Sequence, residues 1–377
     1  MNNEEYLKSV KDMIYLIYCA VNNNKPQSDK VQNMNIENLY KTAERHMLTA
    51  VTAIALESAG VKAADFTQAK GKACRKNAVL DVERNSLFKY LDSKGIWYMP
   101  LKGAVMKDYY PKYGMRQMSD NDILFDPEHR AAVREYFEKR GYEIKIYQHG
   151  NHDIYLKPPI SNFEMHVELF HPNHAVRFPK IYNYYQNVKE RLIKFGNGCE
   201  YHFSNEDFYV YMTAHEYKHY SVAGTGLRSL LDTYVFIKKF EDTLDMKYIK
   251  GELEKLGIAE FELENRSLAM NLFGSNKLTD EDNSMFKYIV FSGIYGNKDN
   301  AIINKIRRTG SSGIAGKIKY VFGRLFPPLE KLKSSYPIFF KYKVLLVFLP
   351  FYRFVRIFTV SKNRVKRELR ILSKYKS

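Results

Sequence analysis

The amino-acid sequence predicts an α+β protein whose strands are gathered in the first half of the chain. Two largely apolar runs of strand length occupy residues 96–101 and 120–125, and residues 162–170 alternate apolar and polar side chains. Helical spacing prevails before and after this region, as in residues 36–58. We therefore expect a β-sheet core that is preceded and followed by helices.

The pattern divides the chain into four segments: a helical region at 1–75, a strand-containing core at 76–204, a helical domain at 205–310 and a basic, aromatic-rich tail at 311–377. The predicted helices are 4–21, 36–58, 75–93, 127–140, 206–220, 227–240, 246–256 and 259–273, and the predicted strands are 96–101, 120–125, 142–147, 152–157 and 162–170. No internal repeat stands out, which argues against a solenoid.

Two carboxylates open the second apolar strand. Alternate side chains of a strand point the same way, so Asp120 and Asp122 project together while Asn121 faces the other side. Carboxylates this close repel each other unless a divalent cation lies between them, and hard oxygen ligands suit Mg²⁺ or Mn²⁺. Because Mg²⁺ commonly completes its shell with substrate phosphates, the pair indicates a site for a metal-bound nucleotide. A lone Asp-x-Asp is also common in solvated loops and helix caps.

A Lys-Gly turn follows the first apolar strand. Gly103 lets backbone N–H groups approach a phosphate at the next helix start, and Lys102 adds a mobile positive charge. Arg116 and Ser119 follow between the two strands. The order strand, Lys-Gly, Arg, Ser-Asp-x-Asp and apolar strand indicates a metal-nucleotide site more specifically than any one of these motifs alone.

The third acid is expected on a neighbouring strand. Within 162–170, Glu164, His166 and Glu168 share one face. We choose Glu164 as a metal ligand or general base, with His166 holding it or the substrate in place from the second shell of the site. Glu168 is an alternative, and so is a polar face that is merely hydrated.

These motifs resemble a known family. Residues 101–103, 110–111, 116 and 119–124 together resemble the nucleotidyltransferases of the DNA polymerase β superfamily, in particular a bacterial group of uncharacterised nucleotidyltransferases. The resemblance continues through 163–168 and 215–232, and covers most of the chain from about residue 37. It implies a polymerase-β-like mixed-sheet nucleotidyltransferase core, with two metal-binding aspartates and a third carboxylate on a neighbouring strand.

The resemblance also implies a reaction. An NMP passes from an NTP, with ATP as the first choice, to an acceptor hydroxyl of unknown identity, and pyrophosphate leaves by two-metal chemistry. Asp120, Asp122 and Glu164 would be the catalytic and metal-binding acids. The nucleotide-binding residues would be Lys102, Gly103, Arg116, Ser119 and Arg228. Many superfamily members carry a serine where this chain has Ala104, so Lys102 or Ser119 would have to replace its contact with phosphate.

Other functions stay open. The same core could adenylylate a protein or an antibiotic, or could bind nucleotide without turnover while its tail contacts a membrane or polyanion. His215-Glu216-x-x-His219 formally matches a zinc metalloprotease motif, although no third ligand stands out downstream. Helix packing, with Arg228 and Asp232 as an i,i+4 pair, is the favoured structural interpretation of that region.

The net charge of +17 is concentrated in the tail. Residues 311–377 hold 16 Lys and Arg against two Glu, which gives +14 and leaves +3 for the rest. The apolar runs of the tail are too short and too charged to span a bilayer, which needs about 20 apolar residues. The tail could pack on the helical domain, lie on an anionic membrane surface or bind a polyanion, with nucleic acid the least favoured.

The cysteine spacing and the N-terminal sequence are those expected of a cytoplasmic protein. The tail is a candidate for peripheral contact with the inner face of the membrane. Cys19, Cys74 and Cys199 lack the spacing of a disulfide framework or a Cys-rich zinc site and fit a reducing compartment. The apolar run at 13–21 is short and is not preceded by a strongly basic region, so we expect no signal peptide.

Overall fold

The computed structural model describes residues 1–277, 283–294, 296, 298–307, 309, 313–327, 329, 332–333, 336–359 and 362–374. It separates into two compact units, one of residues 1–218 and 226–294 and one of residues 219–225 and 295–377. The four-segment division, which follows the chain, stays a prediction.

The described helices and strands confirm the α+β class. The helices are α1 (Asn3–Val21), α2 (Ser28–Gln32), α3 (Ile36–His46), α4 (Thr49–Ser58), α5 (Ala64–Ser93), α6 (Gly103–Met106), α7 (Arg130–Lys139), α8 (His174–Arg177), α9 (Pro179–Tyr184), α10 (Asn205–Val222), α11 (Leu227–Phe240), α12 (Met246–Leu256), α13 (Ala259–Ala269), α14 (Ser284–Ser292), α15 (Lys298–Arg307), α16 (Gly313–Leu325), α17 (Pro337–Lys341), α18 (Leu349–Thr359) and α19 (Lys362–Lys374). The strands are β1 (Tyr98–Pro100), β2 (Asn121–Phe125), β3 (Glu143–Ile146), β4 (His152–Lys157), β5 (Ser161–His166), β6 (Ile193–Lys194) and β7 (Tyr201–His202).

The first unit contains a mixed five-stranded sheet in the order β1-β2-β5-β4-β3. Strands β2 and β5 are parallel, and the other neighbouring pairs are antiparallel. The expectation of a mixed sheet is therefore confirmed. The parallel pair matters most for function, because it sets the residues of β2 directly beside those of β5.

Helices α5 and α7 pack on one face of this sheet. Leu87 of α5 and Phe137 of α7 share a buried cluster with Ile123 of β2 and with Phe163 and Met165 of β5. Since side chains alternate along a strand, the intervening residues of β2 and β5 point to the opposite face. The apolar layer thus determines which residues of the two strands lie on the face that is not covered by α5 and α7.

Helix α5 also holds the start of β2. Asn121 donates from Nδ2 to the carbonyl of Leu80 at 2.9 Å, and Arg84 donates to the side-chain oxygen of Asn121 at 3.1 Å. Asn77 donates to the carbonyl of Arg116 at 3.0 Å. The chain between α6 and β2 is therefore anchored to a 30-residue helix.

Three helix predictions differ most from the structure. The predicted helix 36–58 is two helices, because Met47 has a φ of 55° in the left-handed region and turns the chain. Helix α5 begins at Ala64 and not at residue 75. The predicted helix 259–273 ends as an α-helix at Ala269, and a π-helical turn, Met270–Gly274, follows.

The second unit has a small core of its own. Ile302, Ile306, Tyr320 and Ile371 form a buried cluster that joins α15, α16 and α19. Arg324 contacts Glu368 with 3.1 Å between Nη2 and Oε1. No helix in the part of the chain that the structure describes combines the length and apolar character needed to cross a membrane.

Candidate active site

Three carboxylates lie on the sheet face opposite to α5 and α7. The parallel register pairs Asp122 of β2 with Glu164 of β5. Strand β2 begins at Asn121, so Asp120, which the sequence placed in the strand, lies directly before it, and its charge acts on both Asp122 and Glu164. Asp122 is buried, whereas Asp120 and Glu164 are half-buried. The three acids that the sequence singled out therefore stand side by side, while Glu168 lies beyond the end of β5.

These acids perturb one another. Burial raises the pKa of Glu164 to about 7, and the charges of Asp122 and Asp120 and a hydrogen bond between the Glu164 and Asp122 carboxyls add to the shift. Burial and then the charge of Asp122 raise the pKa of Asp120 to about 6. The cluster therefore resists carrying its full negative charge, which is the condition that a bound cation relieves.

Asp122 behaves in the opposite way. Burial acts to raise its pKa, but Lys102 and His166 together hold the pKa well below the usual range. The Nζ of Lys102 is 3.4 Å from Oδ2, and His166 donates from Nε2 to Oδ1 at 3.0 Å. His166 was expected to hold Glu164 or the substrate; its hydrogen bond goes to Asp122, with Oε2 of Glu164 at 3.7 Å.

The turn that carries Lys102 is strained and tightly packed. Lys102 has a φ of 39°, in the region that favours glycine, and strain of this kind is concentrated at functional sites. At Gly103, a Cβ atom would lie 2.6 Å from Nη1 of Arg116, so a larger residue would displace the guanidinium. The Lys-Gly sequence therefore serves the packing of Arg116 as well as the turn itself.

Arg116 is held in a buried network. Its Nε and Nη2 donate to the two carboxylate oxygens of Asp232 at 2.8 and 2.9 Å, and Tyr110 donates to Oδ1 of Asp232 at 2.7 Å. Arg116 is 8 % exposed. This pair joins the turn region to α11. The hydrogen bonds of Asp232 go to Arg116 and Tyr110, while its charge also acts on Arg228, four residues earlier on the same helix.

Arg228 is half-buried beside this network. It donates from Nη1 to the carbonyl of Gln117 at 3.4 Å. Burial, followed by the charge of Arg116, lowers the pKa of Arg228, while Asp232 and Asp120 act in the other direction. A cation so placed lies within electrostatic reach of the acidic cluster.

Ala104 and Ser119 have different surroundings. Ala104 is buried in an apolar cluster with Leu80 and Met118, so its methyl group packs against α5. Ser119 is half-buried, and its Oγ lies 3.9 Å from the sulfur of Met47. Of the two expected substitutes for a serine at position 104, Lys102 is the one in contact with an acid of the cluster.

Sequence reasoning missed His152. This residue pairs with His166 across the antiparallel β4 and β5, and its Nε2 lies 3.8 Å from Oε2 of Glu164. Burial, followed by the charge of His166, lowers the pKa of His152 to about 4. His152, Glu164 and His166 offer three ligand atoms within 4.8 Å of one another. The sequence showed that both segments were strands but not that they were paired.

Lys218 was also missed, although it lies in the segment that contains the zinc-like motif. Burial and then the charge of Lys102 lower its pKa to about 7, while the charges of Asp122 and Glu164 act to raise it. The ammonium group lies 5.9 Å from the ring centre of Phe170. A second lysine therefore shares the electrostatic field of the acids.

The zinc-like motif does not gather a metal site in the described ranges. Glu216 is buried and accepts a hydrogen bond from Nδ2 of Asn265 at 3.1 Å, whereas His219 is exposed. The group of three close ligand side chains found among the described residues is that of His152, Glu164 and His166. Glu216 therefore serves the packing of α10 against α13.

Clustered carboxylates on adjacent strands of a mixed sheet, next to basic side chains, offer oxygen ligands for a cation and positive charge for phosphate. The profile of the family described as "Uncharacterised nucleotidyltransferase" matches residues 32–274, and the chain belongs to this family. Membership supports a transferase with a nucleotide substrate, and it favours neither the zinc hydrolase nor the non-catalytic binding module.

One solved structure is similar to part of the chain. It is the crystal structure of an antigenic nucleotidyltransferase-like protein from Paracoccidioides brasiliensis, with 14 % identity and a TM-score of 0.34, covering 54 % of this chain and 94 % of that one. A TM-score this low does not establish a common fold. No curated protein matches the chain significantly. The polymerase-β-like core and the bacterial origin stay predictions.

Proposed function

We propose that the protein transfers an NMP from an NTP, with ATP as the first choice, to an acceptor hydroxyl and releases pyrophosphate. The register that sets Asp122 beside Glu164 on parallel strands, with the charge of Asp120 acting on both, carries this proposal. Family membership supports the same class of reaction. The alternative acceptors, including a protein or an antibiotic, all use this chemistry.

The residues fit a divalent cation. Asp120, Asp122 and Glu164 supply carboxylate oxygens, which are the ligands of Mg²⁺ and Mn²⁺, and the raised pKa values of Asp120 and Glu164 reflect their mutual repulsion as well as burial. A cation bound there would neutralise phosphate charge and polarise the phosphoryl oxygens. Mg²⁺ or Mn²⁺ is therefore the proposed cofactor.

The basic side chains would bind the triphosphate. Lys102 neutralises charge beside Asp122. Arg228 and Ser119 are proposed to contact phosphate, with the N–H of Gly103 as a further donor. Arg116 is bonded to Asp232, and we assign it the task of positioning the turn.

The reaction follows from these assignments. The acceptor oxygen attacks the α-phosphorus, the bond from that phosphorus to the bridging oxygen breaks, and pyrophosphate leaves with the electron pair. The hydroxyl proton passes to water. Lys102 and Lys218 stabilise the negative charge that grows on the leaving group.

The test is Asp122→Asn, with Asp108→Asn as a control because Asp108 is exposed and lies outside the acidic cluster. Pyrophosphate release is measured with each NTP and pooled sugar, lipid, protein and RNA acceptors. The Asp122 variant should lose at least about 100-fold in rate, in line with the loss of one electrostatic stabiliser, while its circular dichroism is unchanged. Turnover that survives in this variant overturns the proposal.

We also propose that the second unit binds an anionic membrane surface through α16. One stripe of this helix carries exposed apolar side chains, Ile314, Ile318, Val321, Phe322 and Leu325, which are 41 to 75 % exposed. Tyr320, on the opposite side, is buried. At 100° per residue, Lys317 and Lys319 flank the stripe, as in helices that lie in a lipid interface.

Vesicle sedimentation tests this contact. The protein should bind vesicles of phosphatidylserine and phosphatidylcholine more tightly than phosphatidylcholine alone, and binding should weaken with salt. Phe322→Glu should reduce binding, whereas Leu263→Glu, at a leucine exposed in the first unit, should not. Equal binding by the two variants overturns the proposal, and preferential binding of RNA would favour the polyanion.

A further inference from the structure

Asn151 bonds two histidines of the candidate site at once. Its Oδ1 accepts from Nδ1 of His152 at 3.2 Å, and its Nδ2 donates to Nδ1 of His166 at 3.4 Å. The same Nδ2 donates to the carbonyl of Glu168 at 3.0 Å. Asn151 is 7 % exposed, so these contacts replace hydration.

The carbonyl of Glu168 fixes the orientation of the Asn151 amide. If the amide were reversed, its oxygen would face that carbonyl at 3.0 Å, and two acceptors would meet. With the amide in its observed orientation, Nδ1 of His152 must carry a proton and Nδ1 of His166 must not. One asparagine therefore imposes opposite tautomers on two adjacent neutral imidazoles.

The two tautomers give the histidines different tasks. His166 carries its proton on Nε2 and donates it to Asp122, which positions that carboxylate. His152 has a lone pair on Nε2, which faces Oε2 of Glu164 at 3.8 Å. A lone pair and the oxygen of an ionised carboxylate repel each other, so with Glu164 ionised this approach is favourable when a cation lies between them.

We infer that His152 is a metal ligand, which together with Glu164 holds a transition-metal ion such as Mn²⁺ at the candidate site. Ligand atoms about 2.1 Å from one ion can be separated by up to about 4.2 Å, so the observed 3.8 Å already fits. The hydrogen bond from Nδ1 of His152 to Asn151 is the outer contact that metal-bound imidazoles commonly have.

This inference rests on the proposed function for the location of the site and adds a preference among cations. Imidazole nitrogen suits transition metals and is a poor ligand for Mg²⁺, whereas Mn²⁺ accepts carboxylate as well as imidazole. The His152 ligand should therefore make the protein bind Mn²⁺ more tightly than an all-oxygen site would.

The experiment is pulsed electron paramagnetic resonance of Mn²⁺ bound to the full-length protein without nucleotide. A ¹⁴N modulation from a directly bound imidazole is expected in the wild type. His152→Gln should remove the modulation and weaken Mn²⁺ binding at least about tenfold, with Mg²⁺ binding, measured by calorimetry, unchanged within about twofold. His149→Gln, at an exposed histidine nearby, should change neither.

His166→Gln separates the two histidines, because this variant should keep the ¹⁴N modulation. Absence of the modulation in the wild type overturns the inference without any variant, and so does equal Mn²⁺ affinity in the His152 and His149 variants. Pyrophosphate release measured in parallel separates the two proposals. A modulation without turnover would refute only the proposed reaction, and turnover without a modulation would refute only the metal ligand.

Discussion

Replacement of Glu216 by glutamine should make the protein less sensitive to rising pH. Burial raises the pKa of Glu216 from 4.5 to about 7, against the opposing hydrogen bonds from Ser229 and Asn265. The folded protein therefore binds this proton more tightly than the unfolded chain. Its stabilising contribution is complete below pH 4.5 and is lost as the pH rises through 7.

The size of the effect follows from the two pKa values. Between pH 5 and pH 8, the wild-type protein should lose about 2 to 3 kcal/mol of unfolding free energy through Glu216 alone, and Glu216→Gln should not. Urea unfolding of both proteins at both pH values is followed by circular dichroism. The quantity compared is the change in unfolding free energy between the two pH values in the wild type minus the same change in the variant. Contributions common to the two proteins cancel in it.

Glu264→Gln is the matched control, since Glu264 is exposed on α13, next to the Asn265 that bonds Glu216. If the difference between the Glu216 variant and the wild type is the same at both pH values, the burial argument is refuted. The variant also bears on the zinc-like motif, because nucleotidyl transfer should persist in it. A zinc hydrolase would lose its general base and its activity.

Three further outcomes are expected. Lys102→Met should lower kcat/KM for the NTP at least about tenfold, since it removes the charge beside Asp122, and unchanged steady-state kinetics would contradict this. Asp232→Asn should destabilise the protein by about 3 to 5 kcal/mol, because the buried Arg116 is left uncompensated; a melting temperature equal to that of the wild type would exclude that cost. Removal of divalent cations with EDTA should abolish pyrophosphate release, and added Mn²⁺ or Mg²⁺ should restore it; release that persists in EDTA would remove the basis for a metal cofactor.

Local patterns predicted many of the elements well. Helices α11 and α12 and strand β4 have the bounds that the sequence indicated, because their apolar periodicity coincides with the packed face. Met47 fits the apolar spacing of a helix over residues 36–58, because side-chain periodicity carries no information about a left-handed backbone conformation at one residue. The first third of α5 was not predicted because residues 64–74 are mainly polar, small or charged.

The acidic residues of the candidate site could be read from one segment at a time, but their partners could not. Alternation within a strand placed Asp120 and Asp122 on one face, and the same rule placed Glu164 and His166 together. The contact of His152 with Glu164 depends on which strands pair and in what register, and Asp232 reaches Arg116 across 116 positions of sequence. Pairings of this kind are set by tertiary packing, which no local period encodes.

The presence of alanine at position 104 should make nucleotide binding depend on ionic strength. A serine hydroxyl would hold phosphate through a directed hydrogen bond that salt hardly affects, but Ala104 is packed into an apolar cluster and offers no such bond. If the ammonium of Lys102 supplies the attraction in its place, nucleotide affinity depends on a charge that mobile ions attenuate within about 8 Å at physiological salt. The nucleotide dissociation constant of the wild-type protein should therefore rise more steeply with added potassium chloride than that of an Ala104→Ser variant.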